Sequence, residues 1–218
     1  MRPHVVVHNE VSVDGRMDVY AGDMGLYYET AAKLGADASL VGSQTIISGM
    51  EQFGDDLETE HSSNPDGPLL AVVDSRGRID QWTVLKHQPY WGRIVVLCSE
   101  ATPVGYTDTL ASLEIEHMVH GAKQVDLAAS LEELGARFDV RVLRVDSGGT
   151  LTGVLLRAGL VDEVSILVDP CVIGGESHAS MFRAADVAGE EGVTRLALRH
   201  LEKLSGDVVW LRYDVARG

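Results

Sequence analysis

Apolar residues come in short runs, separated by polar and glycine-containing breaks, with helical spacing between several of them. His4–His8, Ala38–Gly42, Leu69–Asp74, Ile94–Cys98, Arg141–Val145 and Val164–Val168 are rich in Val, Leu or Ile and predict strands, with a fainter strand pattern at Leu113–His120. Met24–Leu34 has helical spacing and a stop at Gly35. Asp126 is placed to cap a helix running to Phe138, in which Leu127, Leu131 and Leu134 share a face. Thr150–Ala158 predicts a helix with Leu151, Val154, Leu155 and Ala158 on one stripe and Gly159 behind it. Leu196–Leu201 and Val208–Tyr213 flank Ser205-Gly206-Asp207 and predict a closing antiparallel pair. Alternating strands and helices predict an α/β fold, with a mostly parallel central sheet and antiparallel C-terminal strands, as a single domain over residues 1–218. Gly49–Pro68 is acidic and rich in breakers, and no Lys or Arg occurs between Lys33 and Arg76. That stretch reads as a long loop.

Charge and composition narrow the function. A formal net charge of −15 argues against general nucleic-acid binding, which needs a basic footprint. No apolar run approaches the roughly 18 residues of a membrane span. Residues 1–10 lack the features of a signal peptide, and cysteine usage makes a reduced, cytoplasmic setting the expectation. Two cysteines, Cys98 and Cys171, make neither a disulfide framework nor a zinc cluster; both lie in apolar runs and read as buried thiols. His117 and His120 fall on opposite faces of a strand, and His4 and His8 share a face without a third ligand, so no metal site is expected. Glu132-Glu133 and Glu190-Glu191 read as solvated faces.

The stretch from Val145 to Gly175 carries the most chemical information. A strand ends at Asp146, and Ser147-Gly148-Gly149 leads into a helix. Glycines there let backbone N–H groups approach a ligand, and the helix N-terminus favours an anion such as a nucleotide phosphate. The run Asp-Ser-Gly-Gly also surrounds the nucleophile of trypsin-like proteases, but the rest of that constellation is missing. Taken alone, the turn is equally a strand-to-helix connection with glycines for packing.

Further segments add to it. Ser12-Val13-Asp14-Gly15-Arg16 follows the first strand, and Val41-Gly42-Ser43-Gln44-Thr45 ends another. Val73-Asp74-Ser75-Arg76 ends a third, and Gly159-Leu160-Val161-Asp162-Glu163 precedes Pro170 and Gly174-Gly175. In order along nearly the whole chain, these segments resemble the reductase of riboflavin biosynthesis. That reductase occurs alone or as the C-terminal half of a bifunctional deaminase–reductase and has a dihydrofolate-reductase-like three-layer fold. The zinc motif of a deaminase half is absent from these residues.

The resemblance implies roles residue by residue. Thr45 matches a Thr that contacts the cofactor, and Ser75 a Ser at its adenosine side. Ser147, Gly148, Gly149, Thr150, Leu151 and Thr152 match the loop around the NADPH phosphates. Arg76, with Arg78 nearby, is a candidate cation for a ribose 2′-phosphate. Asp146 matches a substrate-contacting Glu, one methylene shorter. Lys33 stands where the family has an Arg that meets the substrate phosphate, offering a point charge in place of a fork. Asp14 is a further candidate for the polar end of the substrate pocket. The family's Asp-Asp-Pro-x-Leu-x-x-Arg run is absent, and Ser48-Gly49-Met50-Glu51-Gln52-Phe53-Gly54-Asp55-Asp56 stands in its place. No catalytic residue is named by this comparison. The implied activity is NADPH-dependent reduction of a ribosylamino-pyrimidine 5′-phosphate, a small-molecule substrate, to its ribitylamino form by a homodimer. The alternatives are a reductase of the same fold acting on a pterin or dihydrofolate, and a nucleotide-binding protein without catalysis.

Overall fold

The computed structural model describes residues 1–20, 22–53, 64–176 and 180–216. The chain forms two compact units, Met1–Pro3 with Ala36–Leu143, and His4–Gly35 with Arg144–Gly218. As the hydrophobic pattern predicts, the fold is α/β, its strands mostly parallel and its C-terminal strands antiparallel.

In the first unit, β2 (Ala38–Gly42), β3 (Leu69–Val73), β4 (Arg93–Cys98) and β5 (Glu116–Val119) pair in parallel in the order β5-β4-β3-β2. Leu40, Leu70, Val72, Val96 and Leu97 are fully buried, as expected of parallel strands covered on both faces. Four helices accompany them: α2 (Ser43–Phe53), α3 (Trp82–Lys86), α4 (Val104–Ser112) and α5 (Leu127–Arg137). The Asp126 carboxylate accepts from the Ala129 amide at 3.1 Å, and Leu127, Leu131 and Leu134 are buried, so α5 follows its sequence pattern.

Three features of this unit depart from the sequence reading. α2 starts directly after β2 and carries Gly49 within it, because Met50 is buried and Ile46 and Ile47 pack against the same core. One interior glycine costs only about 1 kcal/mol, less than that burial returns. Of the expected Gly49–Pro68 loop, residues 49–53 are therefore helical and 54–63 lie outside the described residues. α4 is a helix the sequence reading did not name, with Tyr106 and Leu110, four residues apart, facing the core; because Leu113 is its C-cap, the expected Leu113–His120 strand begins only at Glu116. Glu133, expected on a solvated face, is 29% exposed there but has partners the sequence did not show: it accepts from His120 and Arg137, which hold its carboxyl below the usual range.

In the second unit, β1 (His4–Ser12) runs parallel to β7 (Glu163–Asp169). β9 (Val209–Val215) pairs antiparallel with both β7 and β8 (Leu196–Lys203), giving the order β1-β7-β9-β8. The chain enters this unit a second time along β6 (Val142–Val145), which leads to α6 (Gly149–Arg157); α1 (Met24–Ala32) is capped by Asp23, whose carboxylate accepts from the Leu26 amide at 3.0 Å. β1 continues past His8 through polar residues because their groups are satisfied: Asn9 donates to the Ser147 carbonyl at 3.3 Å and Ser12 to Asp14 at 2.7 Å. Cys98 is buried, whereas Cys171 is half-buried, since it stands in the coil beyond Pro170 and not in a strand.

The stripe expected on α6 is displaced. Val154 is 51% exposed and Ala158 is exposed, while Thr152, Gly153 and Leu155 are buried. The segment Ser180–Arg183 accounts for the displacement. A Cβ on Gly149 would collide with the Ser180 carbonyl, and one on Gly153 with that of Arg183. Arg183 N–H donates to the Gly149 carbonyl at 2.8 Å, and the Thr152 hydroxyl donates to the Met181 carbonyl. The helix thus buries its small-residue face under a backbone segment.

Candidate active site

The turn after β6 separates residues that the sequence treats alike. Gly148 is the N-cap of α6, with φ −64° and ψ 167°, and having no side chain it leaves the first N–H groups of the helix without a side-chain acceptor. It is exposed, and a Cβ there would have open space around it. Thr150 is exposed beside it and Leu151 is half-buried. Gly149 and Thr152 are instead committed to the Ser180–Arg183 segment, so neither the missing side chain of the first nor the hydroxyl of the second is available to a ligand. Ser147 is buried, and its carbonyl receives the Asn9 amide. The open anion-favouring position is the amide group around Gly148 and Thr150.

Asp146 lies at the edge of this opening in a compact polar cluster. Arg144 donates through Nε to both carboxylate oxygens at 2.8 Å and pairs through Nη2 at 2.7 Å; the Tyr27 hydroxyl donates to Oδ1 at 2.9 Å. Burial opposes the charge on Arg144, but Asp146 outweighs it and raises the guanidinium pKa. Burial, with Asp146 next, pushes the Tyr27 hydroxyl well above its ordinary value, so it stays a donor. Beneath Tyr27 lies His8, with ring centroids 4.6 Å apart. His8 Nδ1 meets Ser165 Oγ at 3.0 Å, and Trp210 Nε1 donates to the same oxygen at 2.8 Å. Desolvation drives the His8 imidazole down to about 4. Sequence reasoning missed Tyr27 and Arg144. A signal for Arg144 was present, because alternate positions of a strand share a face and Arg144 and Asp146 are two apart.

The other two candidate substrate residues have their own partners. Asp14 accepts from Ser12 and from the amides of Ile173 at 3.1 Å and Gly174 at 2.8 Å. The Ser12 hydroxyl first, then those amides, hold its carboxyl down at about 2. It stitches the turn after β1 to the segment after β7. Lys33 stands at the C-cap of α1, paired with Glu29 at 3.0 Å and lying 5.7 Å from the Trp210 ring centroid. Among the described residues no group of three or more His, Cys, Asp or Glu is arranged to hold a metal ion.

In the first unit, Thr45 is exposed in the first turn of α2. Ser75 accepts from the Val125 amide at 3.1 Å through its hydroxyl and from Thr102 at 3.0 Å through its carbonyl. Arg76 is exposed, whereas Arg78 reaches Ser43 Oγ at 2.7 Å and Gln44 Oε1 at 3.0 Å, placing its guanidinium at the α2 N-terminus. Asp74 aims it by accepting from the Arg78 and Ile79 amides at 2.7 and 3.1 Å and from Tyr106 at 2.8 Å.

Comparison with known proteins follows from this geometry. Residues 3–210 match a family model described as the RibD C-terminal domain. A 2,5-diamino-6-ribosylamino-4(3H)-pyrimidinone 5′-phosphate reductase from Methanothermobacter thermautotrophicus is 27% identical over 223 residues, covering 96% of this chain and 97% of its own length. A protein of the same name from Archaeoglobus fulgidus is 28% identical over 227 residues, covering 98% of this chain and all of its own. The structure of Acinetobacter baumannii RibD, form 2, superposes with a TM-score of 0.72 at 20% identity; the match covers 99% of this chain and 58% of the length of that protein. Dihydrofolate reductase from Enterococcus faecalis, solved with NADP(H) and RAB-propyl, superposes with a TM-score of 0.52 at 9% identity over 98% of this chain and 97% of its own. The two superpositions speak to the fold.

Proposed function

This chain belongs to the RibD C-terminal domain family, and on that premise we propose that it is a riboflavin-biosynthesis reductase, acting with NADPH on a ribosylamino-pyrimidinone 5′-phosphate to give the ribitylamino product. The relatives that match along nearly their whole length carry the name of that reductase, which supports the substrate class. The structural observation that carries the reading is the uncapped N-terminus of α6 at Gly148, bordered by the Arg144–Asp146–Tyr27 cluster.

The residues present fit a dinucleotide phosphate: Gly148 and Thr150 are exposed, the N-cap of α6 makes no side-chain hydrogen bond to the helix amides, and no acidic residue stands in its first turn. When bound, a reduced nicotinamide supplies the hydride that turns the C=N of the opened sugar into an amine. The backbone amides at Gly148 would fix the pyrophosphate and so set the direction of approach. Arg78 is the better candidate than Arg76 for the 2′-phosphate, because Ser43, Gln44 and Asp74 hold it in place. Asp146, with its charge balanced by Arg144 and its orientation set by Tyr27, would accept hydrogen bonds from substrate hydroxyls. Thr45 and Ser75 would make the cofactor contacts that the resemblance implies. A homodimer belongs to the same reading, supported by Leu198 and Leu201, which are 58% and 63% exposed on strand β8. No helix among the described residues is long and apolar enough to cross a membrane.

Oxidation of NADPH, followed by its near-ultraviolet absorbance with the pyrimidine phosphate and dihydrofolate offered separately, tests the proposal. Turnover of the pyrimidine alone is expected. Turnover of dihydrofolate alone would assign the chain to another reaction, and cofactor binding without turnover of either would leave a nucleotide-binding protein.

A further inference from the structure

A pair of carboxyl groups at the ends of β1 and β7 has no part in the functions above. In the parallel register, Glu10 lies opposite Leu167 and Ser12 opposite Asp169, so Glu10 and Asp169 stand on one face of the strands, diagonal neighbours. Asp169 is thus the nearest charged neighbour of Glu10 across the two strands, and it acts on the Glu10 carboxyl electrostatically. The Glu10 carboxyl packs against the backbone of Gly22, where any Cβ would collide with it, and Oε1 accepts from the Asp23 amide at 3.2 Å. Asp169 is 9% exposed, and its Oδ2 is buried without a hydrogen-bond partner among the described residues. Two carboxylates this close cannot both ionise cheaply, and a shared proton removes the repulsion.

The place is right for chemistry. Ligands of α/β proteins collect at the carboxyl ends of parallel strands, where both groups lie. Glu10 is on the same face of β1 as His8, whose ring packs at a tilt against Tyr27 of α1, and Tyr27 holds Asp146. Its neighbour Asn9 reaches Ser147, the residue before Gly148. Glu10 itself is half-buried, so a ligand can reach it.

We propose that Glu10 is the proton donor of the reduction and that Asp169 is the positioning residue that keeps the proton on it. This rests on the reductase reading above. As hydride from the reduced nicotinamide adds to the imine carbon, the C=N pair moves to nitrogen. That nitrogen forms its N–H bond with the proton leaving the Glu10 carboxyl, and the resulting carboxylate recovers a proton from water. The groups facing Glu10 are Asp169 from β7, Asp23 at the head of α1, Tyr20 from the turn before it and Cys171 beyond β7. Burial first, then Asp169, raise the Glu10 carboxyl to about 7, which leaves much of it protonated near neutral pH.

Two measurements decide the matter. Carbon-13 NMR of glutamate carboxyls in the cofactor-free protein should show Glu10 titrating near 7, and Asp169→Asn should return it toward the ordinary carboxylate range. Titration of Glu10 in the ordinary range in the wild-type protein would overturn the proposal. In single turnovers of the pyrimidine phosphate, the wild-type rate should fall as pH rises through about 7, with that limb absent from Glu10→Gln, which should be slower at pH 6 by about 100-fold with NADPH affinity unchanged. Asp169→Asn should move the limb to lower pH, a change that a purely structural role would not produce. A Glu10→Gln protein with the wild-type rate and limb would defeat the inference and leave the reductase reading intact. A wild-type protein that binds NADPH but never reduces the pyrimidine would defeat the reading, and the proton-donor role with it.

Discussion

His8 stays neutral well below its ordinary range because burial removes the water that would solvate an imidazolium. In the unfolded chain it takes up a proton from about pH 6.5, while in the folded protein it does so only near 4. The unfolded state therefore binds more protons in that window, and stability should fall as pH drops from 6.5 towards 4, by up to about 3 kcal/mol if His8 acted alone. Denaturant titrations at several pH values check this, with His8→Gln expected to flatten the slope. Gly148 makes the other residue-scale prediction. Gly148→Asp adds a good N-cap, so thermal stability should hold or rise. The same carboxylate stands where a pyrophosphate is proposed, so NADPH should bind at least about tenfold more weakly. Calorimetry with an unchanged Kd would move the phosphate site elsewhere.

At the scale of elements, α6 and the Ser180–Arg183 segment behave as one piece. Gly153→Ala would drive a methyl group into the Arg183 carbonyl, and a cost of about 2–3 kcal/mol is expected, read as a lowered denaturation midpoint. Gly148→Ala, in open space, should cost about 1 kcal/mol or less. The contrast explains what the sequence could reveal here. Strand, turn and helix were legible from Val142 to Arg157, because alternation and the glycine turn are local signals. Which glycine is left open was not, because the answer lies in a segment some thirty residues later. α2 and α4 escaped for another reason: each has an apolar face of only a few residues interrupted by Gly, Ser or Thr, and tertiary burial of Met50 and Leu110 decides them.

For the whole molecule, the candidate site was legible where a motif is contiguous and hidden where it is assembled. Asp146 could be named from its turn; Tyr27, 119 positions away, could not. Nor could the meeting of Glu10 with Asp169, which needs the β1–β7 register. Assembly also sets two expectations. Arg78→Ala should narrow the preference for NADPH over NADH in side-by-side Kd measurements, and Arg76→Ala should leave it nearly unchanged. Light scattering after size exclusion should give twice the chain mass. Leu198→Glu with Leu201→Glu should shift that to a single chain, since charges on β8 oppose edge association.

Cys171 has a practical consequence. With Cys98 buried, it is the one half-accessible thiol of the two in the chain. Desolvation first, then the charges of Asp169, Asp14 and Glu10, raise its thiol pKa above the ordinary value. Maleimide or a disulfide-exchange dye should therefore attach at a single position, slowly near neutrality and faster in alkali. The protein carries its own attachment point for a fluorophore beside the carboxyl pair, so ligand arrival could be timed without engineering a label into the chain.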